Sequence, residues 1–357
     1  MLKKEQLIYI YPNSSTFIEG DIAFLSKKYT VIRNTYTWYR KYLLPFFLIH
    51  QFCWLLLKMA RTKAVIVSFG GYWSLLPALL GKLFNTPVFI ILNGTDCVSF
   101  PNYHYGSLRK PILRTFIYYS YKYATELLPV SEALVETVYT YDSSCIHKKQ
   151  GFRYFFPKLK TPYTVIPNGF HIDFWKNTHK KREANSFITV ASISNTTAFR
   201  LKGIDTFIQM ARHFKTCTFI LVGLSEEMQQ KMQKIPDNLK CYPYLAPEKL
   251  REAYQKNEFY VQLSINEGFG CALSEAMLCG CIPIVSNVGI LSEMIGDSGV
   301  VIDKNDAKII LETVEKIVLL TAEEKEKLRI LASKRIAENY PLRLREKQLL
   351  KIIENHS

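Results

Sequence analysis

Short runs of β-branched and aromatic residues alternate along the whole chain with longer stretches of helical period. In the first half, residues 7–11, 29–32, 64–68, 88–92, 126–129 and 163–166 read as strands, with helical segments between them. In the second half, residues 187–192, 216–222, 259–263, 282–285 and 300–302 repeat the pattern. Strands that alternate with helices pair in parallel sheets covered on both faces. A chain of 357 residues exceeds one ordinary core, so two doubly wound, Rossmann-like α/β domains are expected. Their bounds read as 1–175 and 187–340. The polar, charged interval 176–186 reads as a linker, and the stretch 341–357 after Pro341 as a C-terminal helix.

One segment breaks the pattern. Residues 42–57 are nearly all apolar and are flanked by Arg40, Lys41, Lys58, Arg61 and Lys63, but they are short for a bilayer and carry Pro45, His50 and Gln51. A helix in the headgroup region and a core helix under the sheet both fit this composition. A second basic and aromatic stretch, 147–160, fits an interfacial loop, an acceptor rim or a solvated loop.

Charge sharpens the picture because it is uneven. Residues 1–180 hold 22 Lys and Arg against 9 Asp and Glu, a balance of +13, whereas residues 181–357 hold 24 against 22. Only the first half should face an extended anionic partner, and an anionic membrane surface or a polyanionic acceptor fits better than nucleic acid. The eight cysteines form no C-x-x-C pair and read as reduced thiols. Read from Met1, the chain runs directly into the first strand with no apolar leader. A cytoplasmic protein, peripheral on the inner face of the membrane, is therefore expected.

The densest chemical signal is the stretch 263–285. An apolar strand ends at Leu263, a turn with Gly268 and Gly270 follows, and a helix begins near Gly270. Free amides at a helix start, together with the positive end of its dipole, hold a pyrophosphate without metal. Glu275 lies about one turn inside that helix, and Glu267 precedes it. Two carboxylates beside an anion site make chemical sense when each binds a hydroxyl-rich end of the ligand. No G-x-G-x-x-G with a following acid, no P-loop and no D-x-D-like pair is present, which argues against NAD enzymes, P-loop enzymes and metal-dependent GT-A transferases.

This block resembles the family-four retaining glycosyltransferases, whose hallmark is E-x7-E in a context like E-G-F-G-x-x-x-x-E-A-M-x-x-G-x-P. The chain reproduces that context from Glu267 through Pro283 and continues with Gly289, Glu293 and Asp297-Ser-Gly299. The resemblance implies a GT-B fold, two Rossmann-like domains facing across a cleft, with C-terminal helices able to pack back on the first domain. It implies a nucleoside-diphosphate sugar as co-substrate, anomeric retention, and no cofactor or obligatory metal. Glu267 would bind hexose hydroxyls, Glu275 the ribose, and the amides of Gly268, Phe269, Gly270, Cys271, Ala272 and Leu273 the phosphates. Lys202-Gly203, with Arg200 nearby, resembles the cationic pair that neutralises the leaving diphosphate, although Arg200 stands closer to Lys202 than is usual.

In the first half, Asn93-Gly94-Thr95-Asp96 resembles a family landmark at a strand end. Asn93, Gly94 and Thr95 would lie on the acceptor side, and Asp96 would help catalysis. Relatives often have His where Asn93 stands, and the common glycine-rich first loop is replaced by Asn13-Ser-Ser-Thr16. The expected function is transfer of a hexose to a hydroxyl of a glycan or lipid-linked acceptor in surface polysaccharide or lipopolysaccharide assembly. A catalytically silent domain of the same fold, or a basic membrane- or nucleic-acid-binding protein, stays open as the alternative.

Overall fold

The β-branched runs at the centre of each sheet form strands because they can bury both faces. The computed structural model describes residues 4–178, 181–232 and 234–356. In the first domain β1 (Gln6–Ile10), β2 (Thr30–Asn34), β3 (Thr62–Ser68), β4 (Val88–Leu92) and β5 (Glu126–Pro129) form a parallel sheet of order β2-β1-β3-β4-β5. Every residue of β4 and β5 is buried. A small antiparallel pair, β6 (Thr137–Val138) and β7 (Lys149–Gln150), follows. The second domain is a parallel sheet of β8 (Glu183–Ile193), β9 (Thr218–Leu224), β10 (Leu239–Tyr242), β11 (Asn257–Gln262), β12 (Ile282–Ser286) and β13 (Val300–Ile302). Its order is β10-β9-β8-β11-β12-β13. In both sheets the order reverses beside the first strand, and such switch points open a crevice at the strands' carboxyl ends.

Four expectations need correction. Residues 163–166 run beside β5 but make only one bridge, Tyr163 to Leu127, so the sheet has five strands. Strand β10 is not among the expected strands because it is a four-residue edge strand, too short to stand out, with Lys240 exposed. The expected linker 176–186, of which residues 179 and 180 lie outside the described residues, ends inside β8. Its Arg182 donates to the carbonyls of Tyr254, Asn257 and Cys279, so a residue that reads as solvated charge is a tether. The stretch 147–160 is packed, with Phe152, Phe155, Phe156 and Leu159 buried.

The helix Leu44–Lys58 is the crossover between β2 and β3 and buries only Gln51 and Leu55. It is therefore not an ordinary core helix. The buried amide is used: Gln51 donates to Asn34 Oδ1 at 3.1 Å and to the Trp73 carbonyl at 3.2 Å.

Two helices end the chain. Ala322–Asn339 stays with the second domain, where Lys325 and Arg329 meet the buried Glu258 at 3.1 and 2.7 Å. At Pro341 the chain crosses back, and Phe170 pairs with both Tyr340 and Leu342 at 2.9 Å. The final helix, Leu342–Asn355, then packs on the first domain's Thr16–Lys28 helix. Its Arg345 grips Asp21 through two bonds of 2.6 and 2.7 Å with both side chains almost fully buried. The guanidinium also donates to the carbonyls of Ile166 and Pro167, and Tyr9 donates to Asp21. Removing one partner of such a pair strands a buried charge. Arg345→Ala is expected to destabilise the protein by about 3–5 kcal/mol, measured as a shift of the urea midpoint; an unchanged midpoint would show that the pair contributes nothing.

Candidate active site

The strand ends of both domains meet across a cleft of about 580 Å³. From the first domain Thr16, Phe17, Phe69 and Asn93 line it, and from the second Lys202, Gln262, Glu267, Phe269, Gly270, Cys271, Ala272 and Glu275. Thr16 and Phe17 stand where the glycine-rich loop is missing, at the start of the Thr16–Lys28 helix.

The wall of the second domain is built by the turn after β11. It leads through Gly270, at φ +94°, into the helix Cys271–Leu278. The first amides of a helix have no partner within it, so those of Cys271, Ala272 and Leu273 are free donors among the described residues. The Leu273 side chain itself is wholly buried and Phe269 nearly so, the latter stacked on Phe170 with centroids 6.2 Å apart.

Glycine at 268 is required by a close approach of the two domains. A Cβ there would meet the Asn93 carbonyl oxygen at 2.3 Å, and one on Gly94 would meet Gly268 Cα at 3.2 Å. These glycines let two backbones touch across the domain boundary. Ser131 and Tyr139, also from the first domain, donate to the Gly268 and Ile265 carbonyls at 2.9 Å each.

The two carboxylates occupy unlike surroundings. Glu267 Oε2 accepts from Lys202 Nζ at 2.7 Å, Gln262 Nε2 at 2.8 Å and Ser264 Oγ at 3.4 Å. Burial works against the Lys202 ammonium, but the adjacent Glu267 outweighs it and holds the lysine above its ordinary pKa. Gln262 is fixed in turn by Tyr260, whose hydroxyl donates to its Oε1 at 3.1 Å. Among the described residues Glu275 has no such partner, and burial pushes its carboxyl up to about 8.

Three expected site residues lie elsewhere. Asp96 is wholly buried and accepts from the Gly70 and Gly94 amides at 2.7 and 3.1 Å and from Tyr121 at 2.9 Å. It braces the turns after β3 and β4, and burial raises its pKa against those bonds. Arg200, on the short Thr196–Leu201 helix, lines a separate cavity with Asn102, Tyr103, Ser144 and Asp205, not the cleft that holds Lys202. Gly203, at φ +64°, packs on the Leu263 carbonyl. On the acceptor side Gly94 is committed to Gly268, and the Thr95 carbonyl accepts from Ser107 at 2.7 Å, so Asn93 is the member of that group that reaches the cleft.

Gln262 and Asn168 were not singled out by sequence reasoning. Gln262 ends a strand read as plain core, and its position two residues after Tyr260 was the available hint. Asn168 sits in an Asn-Gly pair that reads as a turn. Its Oδ1 and that of Asn93 are buried without a partner among the described residues, and both residues line the cleft.

The raised Glu275 sets a pH dependence. Its ordinary value is 4.5, so between there and about 8 the folded protein keeps a proton that the unfolded chain has released. Stability falls as pH rises through that window. Glu275→Gln is expected to match the wild type near pH 4.5 and to be more stable by roughly 1–3 kcal/mol above pH 8, after allowance for solvent in the cleft. Melting temperatures across pH 5–9 test this; parallel curves for the two proteins would refute it.

Comparison with known proteins fits this geometry. Residues 173–335 match the family model described as glycosyl transferases group 1. The chain is 42% identical over 67 residues to O-antigen chain mannosyltransferase B of Escherichia coli, covering 19% of this chain and 18% of that protein. It is 35% identical over 74 residues to GDP-mannose:cellobiosyl-diphosphopolyprenol alpha-mannosyltransferase of Xanthomonas oryzae pv. oryzae, covering 20% of each. The matches thus span about a fifth of the curated relatives' length. Among solved structures, sucrose-phosphate synthase from Thermosynechococcus elongatus superposes with a TM-score of 0.78 at 12% identity over 99% of both chains. Anabaena HepE in complex with UDP and glucose gives 0.74 at 13% over 98% of this chain and 100% of that one. Residues 173–335 are thus similar to the glycosyl transferases group 1 family, and the chain as a whole has the GT-B fold.

Proposed function

We propose that this protein is a retaining, metal-independent glycosyltransferase that moves a hexose from a nucleoside-diphosphate sugar to a hydroxyl of a glycan or lipid-linked acceptor in surface polysaccharide or lipopolysaccharide assembly. The observation that carries this reading is the Lys202–Glu267 pair beside a free helix start, with Glu275 one turn further on, in a cleft open between the domains.

Each group has a task. The amides of Cys271 to Leu273 receive the diphosphate. Lys202 has two further N–H donors besides the one on Glu267, and these stabilise the negative charge that grows on the departing phosphate. The three bonds to Glu267 fall on Oε2, which leaves Oε1 for a hexose hydroxyl. Glu275 accepts from the ribose hydroxyls, which restore part of the solvation that burial removes. Asn93 and Asn168 offer unpartnered oxygens to further hydroxyls. Glu267 lines the cleft but is held by Lys202, so attack by the acceptor hydroxyl on the face the phosphate leaves, its proton passing to the departing phosphate oxygen, is the preferred route to retention.

Mannose is the first sugar to test, because the names of both curated relatives carry mannosyl transfer. GDP, UDP and their mannose and glucose conjugates should be screened by thermal shift, and the product anomer read by NMR. Lys202→Ala is expected to lower kcat by roughly 10²–10³-fold, and Glu275→Ala to abolish nucleotide binding. Binding without turnover in the presence of acceptors would favour the silent-domain reading, and an inverted anomer would end the retention claim.

A further inference from the structure

We infer that the outer face of three adjacent helices in the first domain is a docking surface for an anionic lipid bilayer. The inference does not depend on the roles assigned in the cleft.

The Leu44–Lys58 helix carries its apolar stripe on the wrong side for a soluble domain. Phe46 is 68%, Ile49 64% and Leu57 79% exposed, and Phe52, Cys53 and Leu56 share that outward side. A surface helix normally turns its apolar positions to the core and its polar ones to water. Here the inward side holds Gln51 and Leu55, while most of the apolar residues face outward. Tyr39 and Tyr42 extend the exposed patch at the helix start. The Tyr72–Phe84 helix packs alongside, and the Pro111–Tyr123 helix packs on that one in turn. They add exposed Leu79, Leu83, Ile112 and Tyr119. Exposed apolar side chains concentrated on neighbouring helices in this way suit a contact face.

Charge selects the partner. From residue 22 to residue 125 the sequence has a single acidic residue, Asp96, against 13 Lys and Arg. Asp96 is wholly buried, so the surface of all three helices is free of carboxylates. Arg40, Lys41, Lys58 and Arg61 bracket the first helix, and none has an ion-pair partner among the described residues. Lys110 lies below its ordinary pKa through burial and through the charges of Arg109 and Lys41. A second copy of this chain, docked face to face about a twofold axis, would set two such cationic surfaces against each other. Anionic headgroups would neutralise them.

Geometry selects the mode. The region 41–61 is long and apolar enough to cross a membrane by composition. However, its regular α-helix has 15 residues, about 22 Å at 1.5 Å per residue, against a hydrocarbon core of ~30 Å. Both its ends are committed to strands β2 and β3 of one sheet. The helix therefore lies along the interface, with its apolar side in the acyl boundary and its flanking cations among the headgroups.

Co-sedimentation with vesicles of 70:30 phosphatidylcholine and phosphatidylglycerol, and with phosphatidylcholine alone, tests the inference. The wild type is expected to bind the mixed vesicles and not the neutral ones. Lys41→Gln with Lys58→Gln and Arg61→Gln should weaken binding roughly a hundredfold, from a several-fold loss per cation. Phe46→Ser with Leu57→Ser should abolish stable binding while keeping the wild-type circular dichroism and nucleotide affinity, since these side chains face solvent. Failure of the wild type to bind the mixed vesicles, or full binding by the serine variant, would overturn the proposal. So would light scattering that shows a dimer dissolved by the serine substitutions. Nucleotide affinity, measured without vesicles, tests the catalytic reading separately.

Discussion

The position of the β11–helix turn is not set by its own domain alone. Its backbone is pressed against the first domain at Gly268 and Gly94, with 2.3 Å between the Asn93 oxygen and the place a Cβ would take. Ser131 and Tyr139 add two hydrogen bonds from the same side. On the other flank Gly289 sits where a Cβ would meet the Glu267 carbonyl oxygen at 2.0 Å. Glu267, the free amides and Glu275 are thus referenced to both domains at once. A rigid turn of this kind holds a binding constellation in place without loss of ordering entropy at each encounter.

The same turn explains how two acids eight residues apart differ. Glu267 lies where Lys202, Gln262 and Ser264 converge, so its charge is paid for by three donors. Glu275 projects from a helix turn into the crevice with only burial acting on it. Identical side chains thus meet unlike surroundings, one among donors and the other among apolar neighbours and open space.

Most of the architecture could be read from the chain because its signals are local. Val88–Leu92 and Glu126–Pro129 announce themselves as buried strands, and the spacing from Glu267 to Glu275 carries its own helix start. What escaped depends on contacts between distant residues. Asp96 looks like a strand-end acid and becomes a brace only because Tyr121 and Gly70 fold onto it. Arg200 is two residues from Lys202, yet the end of its short helix turns it into another cavity. Arg182 reads as linker charge until three carbonyls surround it. The role of Gln262 follows from Tyr260 beneath it and Glu267 above, neither of which marks it in sequence.

The Asp21–Arg345 clasp has a consequence for how the protein is made. Asp21 and Tyr9 belong to the first domain, but their cation is encoded 324 residues after Asp21. As the nascent chain leaves the ribosome, the amino-terminal sheet can assemble early while its carboxylate still needs water. Only after the second domain has emerged and the chain has crossed back at Pro341 does the last helix reach it and expel that water. The first unit to begin folding is therefore among the last to be completed.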